Sequence, residues 1–174
     1  MSQTHPIVFY KRRAFWRSVL IQFILLSVIY IGFQIWQSRN AISGSAPAIN
    51  APLLNGEMVS LSNYEGKPVL IHFWASWCPI CRFEESTISS LSEDYAVITF
   101  ATQSGDQAEV AAHIKQRNID FPVIMDEEGD WAHHYGINGF PTTIIVDGEG
   151  NVFDVEVGYS SYWGLRLRLF LASL

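Results

Sequence analysis

Only two cysteines occur in this chain of 174 residues, three positions apart at Cys78 and Cys81, and charged side chains make up just 16% of it. So few cysteines exclude a miniprotein stapled by several disulfides. A hydrophobic content of 49% excludes low-complexity disorder and a collagen-like repeat. Basic residues are also short, 11 Lys and Arg against 17 Asp and Glu, and the resulting net charge of −6 is the wrong sign for a nucleic-acid binder. Acid is missing altogether from residues 1–46, which hold Lys11, Arg12, Arg13, Arg17 and Arg39 and so carry +5. The remainder has 6 basic and 17 acidic residues, or −11. Two physically different pieces are joined.

Charge is absent again from Ser18 to Gln37, 20 residues reading SVLIQFILLSVIYIGFQIWQ. At about 1.5 Å per residue, a helix of this length spans the roughly 30 Å hydrocarbon core of a bilayer. The expected organisation is a basic cytoplasmic N-terminus over residues 1–17, a transmembrane anchor over 18–37, a linker over 38–51 and a folded domain over 52–174. Tyr30 and Trp36 suit an aromatic belt, and four cations before the span against one after it put the N-terminus in the cytoplasm. The expected location is therefore the bacterial inner membrane, crossed once, with the domain in the periplasm. Two alternatives deliver the domain to the same side: a signal peptide cleaved near Gly44, Ser45 and Ala46, or a twin-arginine signal at Arg12-Arg13-Ala14-Phe15. That compartment is oxidising, so unpaired cysteines persist there chiefly when they do chemistry.

Beyond the linker, Asn55-Gly56 between apolar runs predicts a hairpin. Val69 to Trp74 (VLIHFW) is apolar enough for a central strand covered on both faces. Phe83, Thr87, Ile88 and Leu91 fall at helical spacing within Pro79–Leu91. Further on, the pattern predicts a strand at Val97–Ala101, a helix at Gln107–Arg117, a strand at Phe121–Met125 and a short helix at Trp131–Tyr135 after the polar loop Asp126 to Gly129. Thr142–Val146 and Val152–Val157 flank a Gly-rich turn as an antiparallel hairpin. A last helix is expected over Ser161–Leu171, capped by Ser160 or Ser161. This alternation makes an α/β fold with a mixed central sheet flanked by helices.

Trp77-Cys78-Pro79-Ile80-Cys81 lies where the VLIHFW strand passes into a helix. There the free N–H groups and dipole of the helix start favour the thiolate, which makes Cys78 the attacking sulfur. Cys81 is then the resolving sulfur. Metal binding stays open as an alternative: zinc would need two more ligands from among His72, His113, His133 and His134, whereas Cu(I) can be held by two thiolates.

Phe73-Trp74-Ala75-Ser76-Trp77-Cys78-Pro79-Ile80-Cys81-Arg82, followed by Gly139-Phe140-Pro141-Thr142-Thr143, resembles the thioredoxin fold, and the spacing of the two motifs is similar to the membrane-anchored TlpA/ResA/CcmG branch. Further segments, Ser104-Gly105-Asp106, Asp120-Phe121-Pro122-Val123 and the run from Ser161 to Leu169, are similar to the tethered thioredoxin-like proteins of suppressor-of-copper-sensitivity operons. The resemblance implies a thioredoxin fold behind an N-terminal transmembrane helix, and a cis-proline at Pro141 facing the cysteines. It also implies Phe140 as a substrate contact and Glu84 as the acid that assists the active-site thiols. Catalytic roles then fall to Cys78, Cys81, Pro141 and Glu84, and substrate contacts to Trp77, Pro79 and Phe140, with Trp74 adding apolar surface. His72 stands where thioredoxin has a buried Asp.

The reaction expected is thiol-disulfide exchange, and the lack of a His or cation between the cysteines favours reduction over oxidation. No nicotinamide or flavin motif is present, and no cofactor or metal is expected. The implied partners are disulfide-containing client proteins and a membrane thiol reductant of the DsbD or ScsB kind. An oxidase or isomerase of the same fold and a Cu(I)-binding module remain as competing readings.

Overall fold

The computed structural model describes the backbone of residues 7–38 and 42–174, and the side chains of 15–29, 32 and 42–174. It forms two units, one up to Trp36 and one from Gln37. Among the described residues the first is formed by helix α1 (Ile7–Ser38), whose last two residues fall in the second. Phe15 to Leu26, Val28 and Ile29 present their side chains outward, and the Ser27 hydroxyl is satisfied by the Phe23 carbonyl at 2.8 Å. Among the described residues no helix is long and apolar enough to cross a membrane. The expected span runs beyond them, since the side chains at 30–31 and 33–37, Tyr30 and Trp36 included, lie outside the described residues, as do those of Lys11, Arg12 and Arg13 and the whole of Arg39.

The second unit is built on a five-stranded sheet. Its strands are β3 (Val69–Trp74), β4 (Ala96–Thr102), β5 (Val123–Asp126), β6 (Thr142–Val146) and β7 (Val152–Val157), in the spatial order β5-β4-β3-β6-β7. The β3–β4 and β4–β5 pairs are parallel; β3–β6 and β6–β7 are antiparallel. As its unbroken apolar run required, β3 is central and buried at every position. Helices α2 (Cys81–Asp94), α3 (Gln107–Arg117), α4 (Asp130–His134) and α5 (Tyr162–Ala172) complete the layers. On one face Ile71, Phe73, Phe100 and Tyr135 pack together, Phe73 stacked on Phe100 with centroids 4.7 Å apart. On the other, Leu70 packs against Ile88 and Leu91 of α2 and Leu165 and Leu169 of α5.

Several boundaries differ from expectation for physical reasons. The hairpin around Asn55-Gly56 pairs β1 (Asn50–Pro52) with β2 (Met58–Ser60), so Leu53 and Leu54 fall outside its strands while Met58 and Val59 lie within β2. Residues 44–51, expected in the linker, belong to the fold: Val152 N–H donates to the Gly44 carbonyl, Ala46 N–H donates to the Gly150 carbonyl, and Ile49 is buried in the core. Tyr135 donates its hydroxyl to the Pro47 carbonyl at 2.7 Å and fastens the same strap. Asp126 is not in a polar loop. It ends β5 and is buried, accepting from the Thr102 hydroxyl and from the N–H groups of Trp131 and Ala132, which caps α4. Ser161 rather than Ser160 caps α5, accepting from the Gly164 N–H.

Candidate active site

The cysteines sit where β3 ends. After Trp74 the chain turns tightly, the Cys78 N–H donating to the Ala75 carbonyl at 3.1 Å, and α2 begins at Cys81. Cys81 is thus the first helical residue, two positions later than the expected start at Pro79, and Cys78 occupies the turn ahead of it. A first-turn N–H has no acceptor inside its own helix. That of Cys81 donates to Cys78 Sγ at 3.2 Å. The two sulfurs form a disulfide. In the reduced protein this donor and the helix dipole both favour an ionised Cys78. Ser76 fixes the turn from both sides: its N–H and hydroxyl donate to Ser104 Oγ and the Ser104 carbonyl, and its own carbonyl accepts from Arg82 at 3.1 Å.

The Phe140–Pro141 peptide is cis, the conformation the resemblance implies. It lays the Phe140 carbonyl oxygen 3.7 Å from Cys78 Sγ, a contact without a hydrogen bond while the sulfur is in a disulfide. Trp77 is 57% exposed, donates its indole N–H to the Gln103 carbonyl at 2.9 Å, and meets the part-buried Phe140 ring edge-on at 5.9 Å. Pro79 is exposed as well. These three frame a sulfur that is itself only 4% exposed at the residue level. Trp74, expected beside them, is a core residue with its indole N–H on Thr99 Oγ1 at 3.2 Å.

Behind Cys81 the inward face of α2 is Cys81, Glu84, Glu85, Ile88 and Leu91. Phe83, expected inside, is 74% exposed. Glu84 follows Cys81 by three residues and so shares its face. It is fully buried, with one carboxylate oxygen accepting the Ser160 N–H and the other, Oε2, without a hydrogen-bond partner. Burial first, then the nearby charge of Glu156, pushes its carboxyl up from the usual 4.5 to about 7 against the pull of the Ser160 bond. His72 lies 4.0 Å from that free oxygen, with Nδ1 2.9 Å from the Thr143 hydroxyl. Burial lowers its imidazole to about 3, so it is neutral and the pair is not an ion pair. Glu85 is held differently, by His113 at 3.0 Å and Arg117 at 2.7 Å, and ties α2 to α3. His133 and His134 are exposed on α4, and among the described residues no group of three or more potential ligands could hold a metal ion.

The bonds made by Ser160, Thr143 and Ser104 were beyond the reach of the sequence, although Thr143 and Ser104 lie inside the segments that carry the resemblance. Ser160 and Thr143 contribute one bond each and Ser104 two, to site residues 28 to 76 positions away. The nearest signal was the cap-like Ser160-Ser161 pair ahead of the last helix.

The pattern of the AhpC/TSA family matches residues 42–155, the stretch carrying both the cysteine turn and the cis-proline loop. The chain belongs to the AhpC/TSA family. A thioredoxin-like protein of Haemophilus influenzae is 36% identical over 121 residues, 68% of this chain and 72% of that one. The thioredoxin-like protein YneN of Bacillus subtilis is 31% identical over 78% of this chain and 86% of its own length. The thiol-disulfide oxidoreductase ResA of the same organism is 28% identical over 85% and 87%. Among solved structures, a thiol:disulfide interchange protein of the thioredoxin family from Chlorobium tepidum superposes with a TM-score of 0.66 at 25% identity, covering 77% of this chain and 99% of that one. StoA of Bacillus subtilis superposes with a TM-score of 0.63 at 25% identity, covering 70% and 96%. This AhpC/TSA member has the thioredoxin-like α/β fold and is a thiol-disulfide oxidoreductase with Cys78 and Cys81 as its cysteine pair.

Proposed function

We propose that the protein is a membrane-tethered reductase of disulfides in extracytoplasmic client proteins. The observation that carries this reading is the Cys81 N–H aimed at Cys78 Sγ beside the Phe140 carbonyl, an arrangement that in the reduced protein favours one ionised sulfur at the mouth of a proline loop. The Cys78 thiolate attacks a client disulfide, the client S–S bond breaks, a Cys78–client disulfide forms and one client thiolate leaves. Cys81 then gives its proton to the Glu84 carboxylate and attacks Cys78 Sγ, releasing the second client thiolate and closing the Cys78–Cys81 disulfide. Two electrons pass from the enzyme dithiol to the client. Trp77, Pro79 and Phe140 supply the surface on which an extended client segment lies, next to Pro141.

The uncharged stretch 18–37 acts as the anchor, crossing the inner membrane once with the N-terminus in the cytoplasm and the domain in the periplasm. Electrons return from a membrane thiol reductant of the DsbD or ScsB kind, kept within reach by the tether. Similarity to the tethered proteins of suppressor-of-copper-sensitivity operons favours clients concerned with copper tolerance. The test is a Cys81→Ser variant expressed in intact cells: Cys78 should accumulate mixed disulfides with clients, separable on non-reducing gels. No adducts from cells would overturn the exchange mechanism. Thiol alkylation of the wild type sets the direction, a largely reduced pair supporting the reductase and a largely oxidised pair an oxidase.

A further inference from the structure

The reaction above needs Glu84 to accept a proton while sealed from water, and the structure sets opposite its second oxygen His72, which the sequence marked only as standing where thioredoxin has a buried Asp. Glu84 Oε2 is buried and without a hydrogen bond, and it faces His72 Nε2 at 4.0 Å, about 1 Å beyond hydrogen-bonding distance. The ring is not free to turn away, because Nδ1 is 2.9 Å from the hydroxyl of Thr143, two residues past Pro141 on β6. A neutral imidazole carries its proton on either nitrogen, and a threonine hydroxyl both donates and accepts. With the proton on Nε2, Thr143 donates to Nδ1 and the ring offers a donor to a Glu84 carboxylate. With the proton on Nδ1, Thr143 accepts and Nε2 can accept from a protonated Glu84. One fixed frame therefore serves both protonation states of the acid.

We propose that His72, pinned by Thr143, is a positioning residue that holds Glu84 ready to take up and release the Cys81 proton. The inference rests on Glu84 being that acceptor. Because an N–H facing an ionised acceptor favours it more than it favours the neutral acid, losing His72 costs the carboxylate more than the acid. The pH at which Glu84 ionises must then rise. The other groups around Glu84 do not substitute. From the segment before α5 the Ser160 N–H already occupies Oε1. From β7 Glu156 opposes ionisation of Glu84. Arg168 of α5 is engaged with Glu156 and Asp154, at 2.8 Å from each. On α2 itself Glu85 is taken up by His113 and Arg117.

The test follows resolution by Cys81 in the full-length chain in detergent micelles. The reduced protein is charged with a chromogenic aryl disulfide, and release of the second aryl thiolate is timed between about pH 5 and about pH 9. In the wild type the rate should rise through about pH 7. His72→Leu should move that rise upward by about one unit, making resolution about tenfold slower near pH 6 and nearly unchanged near pH 9. His72→Gln, which keeps an N–H donor, should stay close to the wild type, and Thr143→Val, which frees the ring with little change of shape, should shift the rise in the same direction as His72→Leu. The midpoint of the Glu84 carboxyl carbon signal, titrated by NMR in the oxidised Thr143→Val and His72→Gln proteins, gives the same ordering without turnover. A His72→Leu profile that coincides with the wild type, or falls equally at every pH, overturns the positioning role. Glu84→Gln separates the two layers: if it abolishes the rise while His72→Leu leaves it in place, only the role of His72 fails. If the rise survives Glu84→Gln, the proton-acceptor reading fails with it.

Discussion

Glu84 and His72 are two buried ionisable side chains whose shifts oppose each other in the pH dependence of stability. The carboxyl of Glu84 ionises at about 7 in the folded chain and at the usual 4.5 when unfolded, so the folded state holds the extra proton and stability falls as pH rises through that interval. His72 ionises at about 3 when folded against the usual 6.5, so the unfolded state holds the extra proton and stability falls as pH drops through that interval. Between about 4.5 and 6.5 the two slopes cancel, and the pair contributes a plateau. Replacing Glu84 by Gln removes the alkaline limb. The stability of Glu84→Gln relative to wild type, measured by urea unfolding, should improve between pH 4.5 and pH 8 by an amount of order 3 kcal/mol. Replacing His72 by Gln should remove the acid limb, so its advantage over wild type should grow as pH falls from 6.5 toward 4.

This inward acid marks where residue-level reading stops. Cys78, Cys81 and Pro141 were legible because their chemistry depends on neighbours adjacent in sequence or on a motif recognised as a whole. The inward face of α2 was legible only in part: periodicity finds Ile88 and Leu91 but also selects the exposed Phe83, and the burial of Glu84 depends on an N–H from Ser160, 76 residues further on. Likewise Trp74 and Trp77 look alike beside the cysteines, and only the end of β3 between them sends one into the core and the other to the surface.

At the scale of elements, the strands and helices read well where the period is long and the caps are local. Helix α3 begins after Asp106, whose side chain accepts from the Glu109 N–H while the Glu109 carboxylate accepts from the Asp106 N–H, a complete capping box. Asp106→Ala should lower stability by about 1 kcal/mol in thermal or chemical unfolding, with the redox pair unaffected. Asp126 is a harder case, since a carboxylate inside an acidic run looks solvated. Its three acceptor bonds instead join β4, β5 and the start of α4. Removing it strands two backbone N–H groups and a hydroxyl in the interior. Asp126→Ala should therefore cost more than the cap, about 2 to 4 kcal/mol, and raise amide exchange across α4 first.

For the molecule as a whole, the division into a cationic apolar segment and an acidic domain follows from charge counts alone. The place where the domain starts does not, because Ser, Ala, Gly and Pro read as tether whether or not their backbone is paired. Ser45 bridges Asn151, and the strap enters the fold there. If the anchor reading holds, the full chain should stay with the membrane pellet after alkaline carbonate washing, and release of the domain from that pellet should require proteolysis ahead of Gly44.

The strap has a mechanical consequence. It joins the domain beside the β6–β7 turn, at the Val146–Val152 end of those strands, whereas Cys78 follows the opposite end of the sheet, where Phe73 pairs with Thr142. If the anchor reading holds, a client caught on Cys78 and a tether holding Gly44 would tug at the two ends of one slab. The tension would then run lengthwise along β3, whose ladders to β4 and β6 would share the load on both edges, and the bonds between Gly44 and Val152 and between Ala46 and Gly150 would be the first to feel a pull from the tether side.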